Sequence, residues 1–178
     1  MKIVKRILIG AAVLVAVLLI VGLFVRTDFA VEREVIINKP KDDVFQYVRY
    51  LRNHDNFGKW ATMDPKMKKD YRGTDGTVGF VSAWESENQD VGKGEQEIKK
   101  ITEGERIDVE IRMRSPFQST DPAYMTTESI GDNQTRVKSG YLGKMNYPTN
   151  LLCPFIADKI GKDMQTGLTN LKTVLEKQ

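Results

Sequence analysis

An uncharged apolar run of 19 residues lies near the N-terminus of the chain. It extends from residue 7 to residue 25 and reads ILIGAAVLVAVLLIVGLFV. As an α-helix, a run of this length is close to the ~30 Å thickness of the hydrocarbon core of a bilayer. The sequence therefore predicts a membrane anchor from Ile7 to Val25, with residues 1–6 as a short N-terminal tail.

A secretory signal peptide also begins with basic residues and an apolar stretch, so its cleavage signal has to be considered. Such peptides have shorter apolar parts and end in a small-x-small motif. Here the run ends in large residues, LFVRT at positions 23–27. No cysteine that could carry a lipid lies directly after the run. We therefore expect an anchor that is not cleaved.

The basic residues around the apolar run suggest an orientation. Lys2, Lys5 and Arg6 are densely placed before it, whereas basic residues are more widely spaced after it. Basic flanks tend to stay in the cytoplasm, and long domains are translocated largely regardless of charge. We expect a single-pass protein with a cytoplasmic N-terminus and a domain that is periplasmic or extracellular.

The remaining composition excludes several classes of function. The formal net charge is +3, but residues 1–26 hold four of the 27 Lys and Arg residues and none of the 24 acids, so the rest of the chain is nearly neutral. A nucleic-acid partner is not expected without a basic face. One Cys and one His cannot form a Cys/His zinc cluster or a Cys-x-x-Cys pair. We expect no metal and no cofactor, and the oligomeric state is not indicated.

The soluble part, residues 30–178, follows a short stalk at residues 26–29. Its sequence predicts a strand and a helix, then several strands, then a C-terminal helix. Phe29, Val31, Val35 and Ile37 recur at every second residue, as in a strand with one buried face, although Arg33 interrupts the row. A helix pattern begins at residue 40. Alternating runs separated by turn residues then predict five or six antiparallel strands, near 67–71, 78–85, 94–102, 106–114, 123–130 and 135–142.

The C-terminal residues return to a helical period. Apolar residues follow each other in steps of three or four and predict one amphipathic helix of about 25 residues, with the positions Leu152, Ile156, Ile160, Met164, Leu168, Leu171 and Leu175. Gly161 and Gly167 interrupt it, and small side chains there would let the helix approach the sheet closely. The fold class is α+β, with a curved antiparallel sheet around the terminal helix.

Several segments, in this order, resemble the START-like (SRPBCC) superfamily. They are the VEREVIINKP strand at 31–40 entering VFQYV at 44–48, Trp60, and the closing GLTNLK at 167–172. The superfamily has a helix-grip fold and includes polyketide cyclase-like proteins, Bet v 1 allergens and START lipid-transfer domains. The resemblance covers about residues 30–177 and is greatest to the membrane-anchored bacterial branch that is similar to polyketide cyclase/dehydrase and lipid-transport proteins.

This resemblance implies a cavity between the long helix and the sheet for an apolar molecule or lipid. Independently, inward side chains of a strongly curved sheet need not all reach the helix, which leaves a volume that a ligand can fill. Taken singly, each candidate is better explained by ordinary core packing, and only their convergence on one space would indicate a cavity. The candidate lining residues are Phe80, Trp84, Val109, Ile111, Met113, Tyr124, Tyr141, Met164 and Leu168.

The sequence offers few candidate catalytic residues, and the resemblance assigns none. His54, the only histidine, lies in the polar run RNHDN and is predicted to be a solvated loop residue. Cys153 is predicted to be a buried structural thiol. Glu110 falls on the solvent side of its strand, whereas the sequence does not place Glu85, Glu95 or Glu97.

Three functions remain open. The first is an anchored binding module that holds a hydrophobic small molecule or lipid. The second is an enzyme of cyclase or dehydratase type, which needs an ionisable group inside the cavity. The third is a structural or interaction domain of the cell envelope with a filled core.

Overall fold

The computed structural model, which describes residues 2–177, contains a seven-stranded antiparallel sheet with a long C-terminal helix packed against it. The α-helices are α1 Lys2–Gly22, α2 Lys41–Val48, α3 Lys59–Met63 and α4 Cys153–Glu176. The strands are β1 Asp28–Ile37, β2 Lys68–Arg72, β3 Val81–Glu85, β4 Lys93–Thr102, β5 Arg106–Ser115, β6 Ser119–Gly131 and β7 Gln134–Lys144. Short 3₁₀ turns at Leu51–Asn56 and Thr149–Leu152 precede α3 and α4.

The sheet is built almost entirely from hairpins. Its strand order is β1-β7-β6-β5-β4-β3-β2, so every strand from β2 to β7 pairs with its neighbour in sequence. Register shifts at Lys93/Gly94 and Ile98/Lys100 interrupt the β4–β5 pairing, and such irregularities bend a strand. The α+β class, the six strands after β1 and the long terminal helix confirm the predicted fold.

One half of the space between α4 and the sheet is solidly packed. Leu168, Leu171 and Leu175 from the C-terminal half of α4 meet side chains of α2 and of the sheet that are at most 8% exposed. These partners include Ile37, Val44, Phe45, Val48, Ile107, Met125 and Val137. Asp42 and Asp43 occupy the first turn of α2, where carboxylates favour a helix N-terminus. This half is the hydrophobic core of the domain.

The two glycines of α4 make room for different neighbours. A β-carbon at Gly161 would overlap the guanidinium of Arg33, the residue that interrupts the apolar row of β1. Gly167 instead lies against the start of α3, where an added β-carbon would be 3.6 Å from the backbone nitrogen of Lys59. The expected close approach to the sheet therefore applies to Gly161, whereas Gly167 brings α3 onto α4.

The N-terminal helix stands apart from this core. Along α1 only Gly22 is buried, and the helix is long and apolar enough to cross a membrane. The helix starts at Lys2, within the predicted tail, and β1 starts at Asp28, within the predicted stalk. Residues 23–27 are thus the whole connection between α1 and the sheet.

Candidate functional site

A cavity of about 360 Å³ lies between the sheet, α3 and the middle of α4. Its walls are mainly aliphatic and thioether side chains. The apolar residues that line it include Met67, Val91, Ile107, Val109, Ile111, Met113, Met125, Ile160, Met164 and Leu168. Packing is therefore solid at one end of α4 and hollow near its middle.

Strand β5 supplies a continuous part of the wall. Ile107, Val109, Ile111 and Met113 all line the cavity, because alternate residues of a strand share one face. Glu110, between them, accepts a hydrogen bond from Arg112 on the opposite face, at 2.5 Å. The alternation in the sequence correctly predicted which residues of β5 face α4.

A glycine gives the tryptophan of β3 its place in the cavity. Trp84, Gly94 and Met113 are direct partners across β3, β4 and β5. A β-carbon at Gly94 would lie 2.8 Å from both the Trp84 ring and the carbonyl oxygen of Arg112. The absent side chain at Gly94 therefore provides the space in which the Trp84 ring lies, and the indole N–H donates to the carbonyl of Val91 at 3.3 Å.

Two of the nine predicted lining residues are placed differently by the structure. Phe80 is 1% exposed but lies in a separate core cluster with Leu51 and Ile98, outside the cavity lining. Tyr124 borders the cavity, yet its hydroxyl donates to Glu32 and its ring stacks under the Arg106 guanidinium. These partners place the Tyr124 ring on the outer face, since it has the opposite parity to Ala123. The other seven residues line the cavity.

Tyr141 brings a buried carboxylate to the edge of the cavity. Its hydroxyl donates to Asp121 Oδ2 at 2.6 Å, and Asp121 is only 3% exposed. Burial, together with the hydrogen bond to Asp121, raises the pKa of Tyr141 well above its ordinary value. The phenol therefore stays protonated at neutral pH and acts as a hydrogen-bonding group in the wall.

A second polar group lies at the other side, where the 3₁₀ turn after α2 meets β2. Asp55 accepts hydrogen bonds from Lys69 Nζ at 2.7 Å and from the Tyr71 hydroxyl at 2.5 Å. His54 Nε2 lies 2.7 Å from the carbonyl oxygen of Val48. Because a carbonyl only accepts, Nε2 carries the hydrogen and Nδ1 remains an acceptor. His54, Asp55 and Lys69 all line the cavity.

The cavity reaches the protein surface beside α3 and the loop after β3. Trp60 lines it and is 38% exposed. Asp90, also in the lining, accepts a hydrogen bond from Lys159 of α4 at 2.6 Å, and both side chains are exposed. An exposed ion pair of this kind contributes little stability, so this rim is held together weakly.

Comparison with known proteins identifies the fold. No protein-family model and no curated protein sequence match the chain. Among solved structures, truncated norcoclaurine synthase from Thalictrum flavum superposes with a TM-score of 0.61 at 13% identity, over 84% of this chain and 94% of that one. Ara h 8.0201 gives a TM-score of 0.60 at 14% identity, over 85% and 99%. The chain has a START-like fold.

A third START-like neighbour is DynU16, a protein in the dynemicin biosynthetic locus. Its TM-score is 0.58 at 14% identity, and the match covers 83% of this chain and 47% of DynU16. At identities this low, the superpositions establish the shared fold alone. The shared fold confirms the helix-grip architecture that the sequence predicted. The cavity of this START-like domain lies between its sheet and α4.

Sequence reasoning missed most of the polar lining of the START-like cavity. His54 was predicted to be a solvated loop residue, but it packs on Phe57 with ring centroids 5.0 Å apart and borders the cavity. Ser82, on β3, has the same parity as Trp84 and could have been found from that alternation. The position of His54 depends on tertiary contacts, for which its polar neighbours in sequence give no signal.

The carboxylates that the sequence left unplaced lie outside the cavity. Glu95, only 7% exposed, accepts hydrogen bonds from Arg72 and Arg112 at 2.6 and 2.8 Å on the outer face of the sheet. Burial alone would raise the pKa of Glu95, but the two guanidinium groups outweigh it and lower that pKa. Glu97 also bonds Arg112, and Glu85 pairs with Lys93. None of these three lines the cavity.

Cys153 is buried at the start of α4, as the sequence predicted. Burial raises the pKa of its thiol, with a further contribution from the charge of Asp28. A thiol with a raised pKa is a poor nucleophile because little thiolate forms at neutral pH. Among residues 2–177, no group of three or more His, Cys, Asp or Glu side chains is arranged to hold a metal ion.

The pH dependence of stability tests the position of His54. Burial lowers the pKa of His54 below its ordinary value, so the unfolded chain binds the proton more readily than the folded chain. Stability is then fully present above the unfolded pKa of ~6.5 and falls as pH decreases from there towards the folded pKa. We expect the melting temperature of the full chain to fall between about pH 7.5 and about pH 5.5.

The matched variant is His54→Gln, whose amide can still donate to the Val48 carbonyl. Because His54 is the only histidine, this variant should show a much flatter melting temperature over the same pH range. Equal pH dependence in the two proteins would contradict the lowered pKa of His54.

Proposed function

We propose that this chain is a membrane-anchored binding module that holds a hydrophobic small molecule or lipid between α4 and the sheet. The observation that supports it most directly is the apolar cavity of about 360 Å³, which is within the ~300–1,000 Å³ typical of small-molecule sites. A predominantly apolar lining of this kind favours an apolar guest. The alternative of a structural domain with a filled core is opposed by the same cavity.

Polar side chains in the wall give such a ligand a preferred orientation. Ser82, Gln96 and Ser139 line the cavity among the aliphatic residues, and Ser82 and Gln96 are direct cross-strand partners. A few polar groups in a mostly apolar site typically fix how a ligand lies. We therefore favour an amphipathic ligand whose polar end reaches these hydroxyl and amide groups.

The apolar helix α1 supports the anchored part of the proposal. A tethered domain meets membrane-dissolved ligands at a high effective concentration and spares a poorly soluble molecule a long path through water. In this proposal the N-terminus lies in the cytoplasm and the domain lies on the periplasmic or extracellular side of the membrane.

The cavity predicts where a probe will bind. We expect a fatty acid that carries a photoreactive diazirine to label peptides of β5 and α4 when the full chain is irradiated in lipid nanodiscs. In Ile111→Trp the larger side chain occupies the cavity, and labelling of these peptides should fall by about tenfold or more. Peptide mass spectrometry measures the extent and the position of labelling.

The control is Ile36→Trp, at a side chain of β1 that is 40% exposed. It adds the same ring outside the cavity and should label like the unmodified chain. Equal labelling of Ile111→Trp and Ile36→Trp would contradict binding in the cavity.

A second function, catalysis of cyclisation or dehydration, is favoured by one observation. His54 borders the cavity in its neutral form, with Nδ1 free to accept a proton, and Asp55 and Lys69 lie beside it. A neutral imidazole next to a bound substrate can act as a general base. Mass spectrometry of a lipid extract incubated with the full chain should then show a dehydrated or cyclised product that is absent with His54→Gln.

A further inference from the structure

The C-terminal end of α1 is fastened to the domain by one buried side chain. Asn150, in the turn before α4, is 1% exposed, and its amide nitrogen donates to the carbonyls of Gly22 at 2.7 Å and Val25 at 2.8 Å. Carbonyls at a helix end lack partners within the helix, so Asn150 satisfies the terminal carbonyl of Gly22 and also that of Val25 in the connection that follows. Gly22 itself packs on Tyr147, with an added β-carbon 3.2 Å from its ring.

This fastening determines which end of the sheet lies next to α1. Asp28, the first residue of β1, pairs with Lys144, the last residue of β7. The antiparallel order then places the β3–β4 loop, the β5–β6 loop and the start of α4 at the same end. The β2–β3 loop, which contains Val78, lies at the opposite end. We call the end that carries α1 the anchor end.

The anchor end carries the most exposed large apolar side chains of the domain. After residue 27, the two highest exposures of large apolar side chains are those of Phe117 at 80% and Phe155 at 73%, and Phe24, in the connection from α1, is 84% exposed. Phe24 follows α1, Phe117 lies in the β5–β6 loop and Phe155 is in the first turn of α4. Leu152, in the turn before α4, is 50% exposed. Phe and Leu side chains on an exposed apolar face are typical of protein surfaces that lie in the interface of a bilayer.

The cavity extends towards the same end. Trp84 and Met113 lie near the ends of β3 and β5, and Val91 belongs to the β3–β4 loop. The exposed pair of Asp90 and Lys159 joins that loop to α4. The part of the rim that is held together weakly therefore belongs to the end of the domain that α1 brings to the bilayer.

We propose that the domain lies against the bilayer that holds α1, with Phe24, Phe117, Leu152 and Phe155 inserted in its interface and the cavity facing the lipid. This proposal rests on the proposed function, because it requires α1 to span the membrane and the cavity to take a membrane-dissolved ligand. The occupant of this apolar surface is the bilayer, because the surface continues directly from α1. Amphipathic surfaces bind the interface through their buried apolar area.

Nitroxide labelling of the full chain tests the contact. Single cysteines are introduced by Phe117→Cys, Phe155→Cys or the control Val78→Cys, which is 61% exposed at the opposite end, in a Cys153→Ala background. The chain is reconstituted in nanodiscs of equal parts phosphatidylcholine and phosphatidylglycerol. Electron paramagnetic resonance then compares relaxation by oxygen, which concentrates in lipid, with relaxation by a water-soluble nickel chelate.

We expect oxygen to dominate at positions 117 and 155, and nickel to dominate at position 78. Nickel contact at 117 and 155 equal to that at 78 would overturn the proposal. A fourth label, Val13→Cys in α1, separates the two possible failures. If position 13 lies in the hydrocarbon while 117 and 155 lie in water, the anchor stands and the docking is wrong. If position 13 also lies in water, the membrane-anchored function is wrong, and the docking with it.

Discussion

Leu171→Ala is expected to lower the free energy of unfolding by about 2–5 kcal/mol, whereas Met164→Ala on the same helix should lower it by only about 1–2 kcal/mol. Leu171 is 0% exposed and surrounded by the packed core, so its truncation removes contacts and leaves a new void. Met164 lines the cavity and therefore has fewer side-chain neighbours. Its truncation therefore removes fewer contacts and enlarges the existing cavity.

Urea unfolding of the full chain in mild detergent, followed by circular dichroism, measures both changes. Ile36→Ala, at an exposed position of β1, is the control and should change the free energy of unfolding by no more than about 0.5 kcal/mol. Equal losses for Leu171→Ala and Met164→Ala would mean that α4 is packed equally along its length, which contradicts the cavity.

Gly94→Val is expected to destabilise the domain by about 1–3 kcal/mol, although valine is a better strand former than glycine. The new β-carbon would lie 2.8 Å from the carbonyl oxygen of Arg112, which belongs to the backbone of β5 and cannot move without disturbing the sheet. It would also displace the Trp84 ring, so labelling of the cavity by the diazirine fatty acid should fall as well.

Gly131→Val is the matched control at the β6–β7 hairpin. The nearest side-chain atom to an added β-carbon there is 3.8 Å away, so this variant should keep both its stability and its labelling. If Gly94→Val were as stable as Gly131→Val, the close contact between Trp84 and Gly94 would be wrong.

Periodicity predicted the elements that surround the cavity. The apolar residues of β5 alternate with charged ones, and Met164, Leu168 and Leu171 repeat at helical spacing, so each pattern identified the side that faces inward. It could not divide that side into packed and hollow parts. Leu171 and Met164 belong to the same stripe, and only the distance between helix and sheet at each position distinguishes their surroundings.

Two candidate lining residues lie differently from the rest for physical reasons. Tyr124 borders the cavity, but its parity places its ring with Glu32 and Arg106 on the outer face. Phe80 lies directly before β3, where it packs in a core cluster with Leu51 and Ile98. The fastening of α1 by Asn150 joins residues more than 120 positions apart, and no local pattern in the sequence signals such a contact.

The intrinsic fluorescence of the two tryptophans can report on the cavity. Trp60 and Trp84 are the only indoles in the chain, and both border the cavity. Emission of an indole responds to the polarity of its surroundings, so filling or emptying the space beside both rings would change the intrinsic fluorescence. Binding and release of the proposed ligand could therefore be followed in real time on the unmodified protein.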